Sequence, residues 1–208
     1  MVKGLKTYPR KLHTDGREYG KYKLKPNSQI TNEDLEDSLS GKRLRSGHIP
    51  KFVRPLRDKS YTTITYWVGS RKMEAIEVLK EDCVITEKHF VIKIPAFKHG
   101  ERAGPLKIKL SNVGMNYVVK QWNKTKAKRK IWNLTKSTAY RIIVRALGVC
   151  PHWLRHNFIT TKQETLPGTP SEVDRKIQSW TGIKHRQTLD NYRMKMEKDI
   201  DEIADLEV

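Results

Sequence analysis

Residues 150–161 read CPHWLRHNFITT and concentrate a proline, two histidines and an arginine before an apolar pair. Proline is favoured at the first position of a helix, so Pro151 predicts that a helix begins there. On that helix, His152 and Arg155 are three residues apart and share a face. A guanidinium suits phosphate oxygens, and an imidazole exchanges protons near neutral pH. The pair therefore indicates either phosphodiester chemistry or a structural contact.

The composition indicates a globular protein that attracts polyanions. The chain has 208 residues, 37% of them hydrophobic, and a formal net charge of +19. That length fits one domain, or one domain with a small appendage, and the apolar fraction is enough for a core. Such a positive field attracts nucleic acid above all. The alternative is a protein whose surface is merely very basic.

Cysteine content and hydropathy predict a cytoplasmic protein. The two cysteines, Cys83 and Cys150, lie far apart without the spacing of a zinc site or a disulfide framework. No apolar run approaches the roughly 20 residues that a membrane-spanning helix requires. The N-terminus lacks the apolar segment of a secretory signal. We therefore expect a reducing compartment and no membrane association.

Charge divides the chain into three parts. Residues 1–29 carry eight lysines and arginines against two acids and predict a basic N-terminal arm. Residues 30–195 hold the patterned segments and predict one domain. Residues 196–208 form an acidic tail, in which Met196 and later apolar residues recur at helical spacing.

The patterned segments predict mainly helices with a small antiparallel sheet, an α+β fold. Two β-rich runs, HFVIKIPAF (89–97) and PLKIKL (105–110), flank a polar, glycine-containing stretch and predict a hairpin. The predicted helices lie in 30–39, on both sides of Gly69 up to Cys83, and in 113–130, 135–147, 151–163, 171–180 and 185–192.

Small polar residues predict where several helices begin. Thr31 or Asn32 and Thr135 are expected to cap the first helix and the helix of residues 135–147. Ser70 is expected to cap the helix after Gly69. Ser171, three residues before an acid, is expected to open a capping box.

Four segments occur in a recognisable order: VGSRKMEAIEVLKEDC (68–83), FKHGERAG (97–104), PHWLRHNFITT (151–161) and TGIKHRQTLDNY (181–192). They resemble the four catalytic blocks of the tyrosine recombinase, or phage integrase, family. The segment before the third block, TKSTAYRIIVRAL, also resembles that family's preceding helix. The resemblance covers about residues 30–195 and implies the fold of that family's catalytic domain.

The resemblance implies a role for one or more residues in each block. The two arginines of the family correspond to Arg71 and Arg155, and Glu74 stands at the acidic position that orients the first. The hairpin lysine corresponds to Lys98, the histidine to His152 and the nucleophile to Tyr192.

The implied reaction is DNA cleavage and rejoining through a 3′-phosphotyrosine link, without ATP, metal or other cofactor. Arg71 and Arg155 would stabilise the charged phosphate, Lys98 would protonate the leaving 5′-oxygen, and His152 would accept the Tyr192 proton. The expected partners are double-stranded DNA of a mobile element, virus or plasmid and further copies of the chain. Those copies form a tetramer on DNA, whereas the free chain can be a monomer.

A basic run after the predicted hairpin is the expected phosphate-binding surface, or else a solvated face. Its charged residues are Lys124, Lys126, Lys128, Arg129 and Lys130.

The fourth block departs from the family at Ile183, where a histidine or tryptophan is usual. Lys184, His185 or Trp180 could replace it, although His185 is expected to be an ordinary surface histidine. Family members also carry an upstream core-binding domain, which the short segment before Arg71 does not provide.

Three other interpretations stay open. A type IB topoisomerase-like enzyme shares the chemistry, and a catalytically inactive DNA-binding regulator would share the fold. A basic RNA-binding protein is the third alternative.

Overall fold

The computed structural model describes residues 29–95, 104–186 and 188–189. Helices packed beside a three-stranded antiparallel sheet confirm the α+β fold. The helices are α1 (Asn32–Ser40), α2 (Pro55–Val68), α3 (Lys72–Ile76), α4 (Met115–Lys124), α5 (Lys136–Leu147), α6 (Pro151–Thr165) and α7 (Pro170–Thr181). The strands are β1 (Cys83–Ile85), β2 (His89–Ile92) and β3 (Leu106–Lys109).

The sheet has the order β1-β2-β3, with both pairs antiparallel. In β2 and β3, His89 pairs with Lys109 and Phe90 with Ile108, so the two predicted strands are neighbours. Phe90 and Ile108 are buried, and they place one face of the sheet on the core. Most of the connecting stretch, residues 96–103, lies outside the described residues.

The helix expected between Gly69 and Cys83 is much shorter than predicted. α3 ends at Ile76, a 3-10 turn covers Lys80–Asp82, and Cys83 begins β1. The chain is drawn out of the helix by tertiary pairing, because Ile131 donates its N–H to the carbonyl oxygen of Val78 at 3.0 Å. Residues that could continue a helix instead pair with distant backbone, which overrides their weak local preference.

Two of the predicted caps are correct. Thr31 caps α1, because its side chain accepts the N–H of Asp34 and the Asp34 carboxylate accepts the N–H of Thr31. Thr135 caps α5 by accepting the N–H of Thr138. Both follow the ordinary preference of a hydroxyl for the exposed N–H groups of a first turn.

Two other predicted caps are wrong. α3 begins after Arg71 rather than Ser70, and the Ser70 hydroxyl is buried without a hydrogen-bond partner. α7 begins after Thr169 rather than Ser171, and Glu172 closes its capping box. In both cases a glutamate three residues after the true cap accepts that cap's N–H and fixes the register.

Two hydrophobic clusters hold the helices together. The larger one packs α2, α4 and α5 with the sheet, and its largest member is the fully buried Trp132. The Trp132 indole donates to the Ser60 hydroxyl at 2.9 Å, so burial leaves no indole N–H unsatisfied. The smaller cluster joins α6, α7 and the chain beyond α7, and its members are Phe158, Ile159, Val173, Ile177, Ile183 and Leu189.

The start of the described chain is fixed against α6. The Asn157 side chain accepts the N–H of Ile30 at 3.0 Å and donates to the carbonyl oxygen of Ile30 at 2.9 Å. Tyr66 also donates to that oxygen at 3.3 Å. A buried side chain on α6 therefore fixes the position of Ile30. The basic N-terminal segment, up to residue 28, and the acidic tail lie outside the described residues.

Candidate active site on the helix that begins at Pro151

His152 and Arg155 stand on α6, but they occupy different environments. Pro151 occupies the first helical position, as the sequence predicts. His152 is exposed, whereas Arg155 is only 2% exposed. The shared face therefore presents an imidazole to solvent and directs the guanidinium into the domain.

Arg155 joins three parts of the chain. Its Nη1 donates to the carbonyl oxygen of Gly69 and its Nη2 to that of Thr181, both at 2.9 Å. Gly69 caps the end of α2 two residues before Arg71, and Thr181 is the last residue of α7. A guanidinium presents a planar fork of N–H donors, so it can hold two separate carbonyl groups at once. One side chain thus brings the first, third and fourth sequence blocks together.

Gly69 has two reasons to be a glycine. It ends α2 in the left-handed region, with φ of +54°. A β-carbon built on it would lie 2.5 Å from the Phe158 ring. The missing side chain therefore lets α6 approach the end of α2 closely enough for Arg155 to reach the Gly69 carbonyl.

Glu74 holds Arg71 at the start of α3. Glu74 is fully buried, its Oε1 accepts Arg71 Nη1 at 2.7 Å, and its Oε2 accepts the Arg71 backbone N–H at 3.0 Å. The Arg71 side chain is 36% exposed. One carboxylate therefore fixes both the backbone and the guanidinium of Arg71, while part of that side chain remains open to solvent.

The exposed His152 contacts the ring of His156 on the same helix. The rings of His152 and His156 lie edge to face with centroids 5.3 Å apart. His156 also stacks on Trp153 at 5.7 Å. His152 thus has a neighbour that restricts its ring orientation on the same helix.

Lys98 and Tyr192, the expected general acid and nucleophile, lie outside the described residues. The described part of the fourth block, which precedes Tyr192, is anchored on α7. Leu189 is fully buried in the smaller cluster, and Arg186 Nε lies 3.2 Å from the buried Asp174 carboxylate. These contacts fix the described end of the fourth block against α7.

Ile183 is a core residue. It is 6% exposed and packs in the smaller cluster with Phe158 and Leu189. Lys184 and His185, which follow it, are exposed. An aliphatic side chain at this position therefore packs the turn after α7 onto α6 and offers no polar group at its surface.

The basic run 124–130 follows the end of α4 and is exposed at its five charged residues. Its backbone is tied down, because Lys80 donates its N–H to the Arg129 carbonyl oxygen at 2.9 Å. Lys130 forms an ion pair with Glu77, which compensates part of its charge. Lys128 has a positive φ of 58°. The run is thus an ordered basic loop beside the sheet.

Comparison with solved structures identifies the fold. XerH recombinase in its pre-cleavage complex with difH matches with a TM-score of 0.59 at 16% identity, over 88% of this chain and 56% of that chain. XerA recombinase matches with a TM-score of 0.52 at 16% identity, over 77% of this chain and 57% of that chain. A lambda integrase dimer on a COC′ core site matches with a TM-score of 0.51 at 14% identity, over 90% of this chain and 49% of that chain. This chain has the fold of a tyrosine recombinase catalytic domain.

Neither a protein-family model nor a curated protein sequence matches the chain. The chain spans about half the length of the solved recombinases it matches. Within residues 29–95, 104–186 and 188–189, no helix is long and apolar enough to cross a membrane.

Sequence reasoning singled out Arg71, Glu74 and Arg155 but missed the groups that hold Arg155 in place. The Gly69 and Thr181 carbonyl groups that hold Arg155 carry no side-chain signal. Asn157, which fixes the start of the domain on α6, was also missed. A polar residue between the apolar positions of a predicted buried helix was the available signal, because such a residue must find a partner.

Proposed function

We propose that this protein cleaves and rejoins DNA as a site-specific tyrosine recombinase. The supporting observation is the double hydrogen bond of Arg155 to Gly69 and Thr181. It gathers beside one another the Arg71 turn, the His152 helix and the segment that leads to Tyr192. One side chain thereby connects the first, third and fourth blocks, although Gly69 and Arg155 are 86 positions apart and Arg155 and Thr181 are 26 apart.

In the proposed reaction, the Tyr192 phenolic oxygen bonds to phosphorus while the bond to the 5′-oxygen breaks. The phenolic proton passes to His152, and Lys98 gives a proton to the leaving 5′-oxygen. Attack by a 5′-hydroxyl reverses the step, so the phosphodiester is conserved and no external energy source is required.

Arg71 and Arg155 stabilise negative charge in different ways. Arg71, with its partly exposed side chain, binds the non-bridging phosphate oxygens that become more negative in the transition state. Glu74 keeps it in place. Arg155 adds a buried positive charge and maintains the frame. One preorganised donor of this kind typically accelerates a reaction about 10²–10³-fold.

Duplex DNA is the proposed substrate, held through its phosphates by the excess of basic residues. The basic run 124–130 and the arm 1–29 would contribute lysines and arginines, and binding would weaken as salt rises. Strand exchange needs at least two active chains, and we propose a tetramer on DNA that acts in the cytoplasm of a prokaryotic or virus-infected cell.

A specific observation favours one second candidate, a DNA-binding regulator without cleavage activity. Ile183 is buried where the family usually places a histidine or tryptophan. If none of Lys184, His185 and Trp180 reaches the phosphate, the fold would bind DNA without cutting it.

A nicked suicide duplex of the host element separates these functions. Loss of the short nicked fragment prevents rejoining, so an active enzyme accumulates a covalent adduct that is visible on a denaturing gel. We expect an adduct with the unmodified chain and none with Tyr192→Phe, which keeps the ring and loses the nucleophile.

Tyr117 is a half-buried tyrosine on α4. Its variant Tyr117→Phe is the matched control and should form the adduct normally. An adduct in Tyr192→Phe would show that another residue is the nucleophile. Duplex binding without any adduct in the unmodified chain would favour the regulator.

A further inference from the structure

A groove of about 570 Å³ lies between β3, the end of α2, and the helices α6 and α7. This volume is within the range of ligand pockets, roughly 300–1,000 Å³. Its lining includes three aromatic rings and three lysines: Trp67, Phe158 and Trp180, with Lys107, Lys109 and Lys162. No acidic residue occurs among the described residues that line the groove.

The groove adjoins the candidate active site. Phe158 packs directly over Gly69, whose carbonyl oxygen accepts from Arg155. Trp180 is followed by Thr181, whose carbonyl oxygen accepts the other hydrogen bond of Arg155. Two walls of the groove are therefore next to the two groups that hold Arg155.

The aromatic walls are held in place. The Trp67 indole donates to the carbonyl oxygen of Val113 at 3.0 Å and meets the Tyr66 ring edge to face at 5.1 Å. The Lys162 ammonium lies 5.8 Å from the centre of the Phe158 ring. Little ordering of Trp67 and Phe158 would thus remain to be done when a flat ligand enters.

The lysines give the groove a positive charge from two sides. Lys107 and Lys109 are exposed on β3, an edge strand of the sheet, and Lys162 stands on α6. Alternating ammonium groups and aromatic faces suit single-stranded nucleic acid, whose bases stack while its phosphates are neutralised.

We propose that this groove binds a short unpaired segment of DNA, one or two nucleotides long. The inference rests on the proposed function, because strand exchange releases a 5′-hydroxyl end that must leave its complementary strand before it attacks. Trp180 and Trp67 supply stacking surfaces for the unpaired bases, and the three lysines contact the phosphates. The groove thereby holds the freed strand beside Arg155.

The test measures how a fluorescein-labelled eight-nucleotide oligothymidine binds to the full chain carrying Tyr192→Phe, by fluorescence anisotropy. Trp180→Leu keeps an apolar side chain and removes the stacking face. We expect about a tenfold loss of oligonucleotide affinity, since one stacked base contributes a factor of this order. Trp122→Leu, on α4 beside Lys80, is the matched control and should bind like the parent.

A lysine pair tests the charge separately. Lys107→Gln with Lys162→Gln should lower oligonucleotide affinity clearly more than Lys51→Gln with Lys136→Gln, which removes two charges at exposed residues outside the groove lining. Equal losses in the two double variants would overturn the proposal, because they would reflect net charge alone.

The acidic tail is the rival occupant of the groove. Suppose that deletion of residues 196–208 changes the tryptophan fluorescence without DNA, that Trp180→Leu abolishes this change, and that the groove variants bind oligothymidine normally. The groove then holds the tail and the proposal is wrong. Failure of the proposed function is separate, because it appears as a missing covalent adduct on the suicide duplex. Normal adducts with unaltered oligonucleotide binding in the groove variants would overturn this inference alone.

Discussion

Arg155 donates from Nη1 to the carbonyl oxygen of Gly69 at 2.9 Å, although the residues are 86 positions apart. The same guanidinium holds Thr181 from its other terminal nitrogen. The catalytic arginine expected from the sequence is therefore also the connection between α2, α6 and α7. Its substitution would affect the frame of the site as well as its charge.

Replacement of Arg155 by lysine should show this structural role. The single ammonium cannot reach two separate carbonyl groups as a fork does. At least one buried carbonyl would lose its partner, which typically costs about 1–3 kcal/mol. We expect that loss in the free energy of unfolding from urea titration. Arg175 is an exposed residue of α7, and Arg175→Lys should change stability little. Equal stability of the two variants would contradict a structural role for Arg155.

Gly69→Ala should destabilise the protein more than Gly41→Ala. Both glycines have a positive φ, so both variants carry the left-handed penalty of about 1–2 kcal/mol. Only at Gly69 would the new methyl group meet a ring, 2.5 Å from Phe158. The clash adds about 1–3 kcal/mol and displaces α6. Thermal unfolding gives the melting temperature of each variant. An equal decrease in melting temperature for both would mean that Phe158 moves aside freely.

Glu74→Gln should reduce DNA cleavage while leaving duplex binding nearly unchanged. The amide keeps one acceptor for the Arg71 backbone but loses the charge that holds the guanidinium. We expect a decrease in the single-turnover cleavage rate of about ten- to a hundredfold, comparable with other orienting partners. The control is Glu77→Gln, which breaks the ion pair with Lys130 outside the site. Equal losses of binding and cleavage in Glu74→Gln would mark Arg71 as an ordinary phosphate contact.

Asn157→Leu should weaken the attachment of the chain before residue 30. It removes two hydrogen bonds to Ile30 and leaves that residue's N–H without its side-chain partner, at a cost of about 1–3 kcal/mol. Hydrogen exchange of the Ile30 amide should accelerate. Asn157→Asp retains the acceptor and should protect that amide better than leucine, and identical exchange in both variants would contradict the assignment.

Asp34 should make stability depend on acid pH. Burial alone would raise its pKa, but hydrogen bonds from Arg45 and Thr31 outweigh burial and hold the pKa below its usual value. Because the folded-state pKa is the lower one, the ionised carboxylate stabilises the fold above about pH 4, and this contribution disappears as pH falls through the folded-state value.

Urea titrations of the parent and Asp34→Asn at several pH values measure this contribution. We expect a stability difference that is constant near neutral pH and shrinks on acidification through about pH 4 and below. A difference independent of pH would show that the carboxylate acts only as a neutral hydrogen-bond acceptor.

The sequence by itself determined the helical class, the β2–β3 pairing and the starts of α5 and α6. Thr135 and Pro151 are local signals, because each acts on the N–H groups of its own first turn. The order of the four blocks likewise needed no structure. It placed Arg71, His152 and Arg155 in the same proposed site.

Tertiary structure decided the rest. The early end of α3 depends on the pairing of Val78 with Ile131, and the burial of Ile183 depends on packing against Phe158; both partners are distant in the chain. Arg155 was expected to meet a phosphate, and only the fold shows that its guanidinium is buried against two carbonyl groups. Local patterns record how a residue meets its near neighbours, whereas packing of α2, α6 and α7 creates contacts across 86 and 26 positions that no local pattern contains.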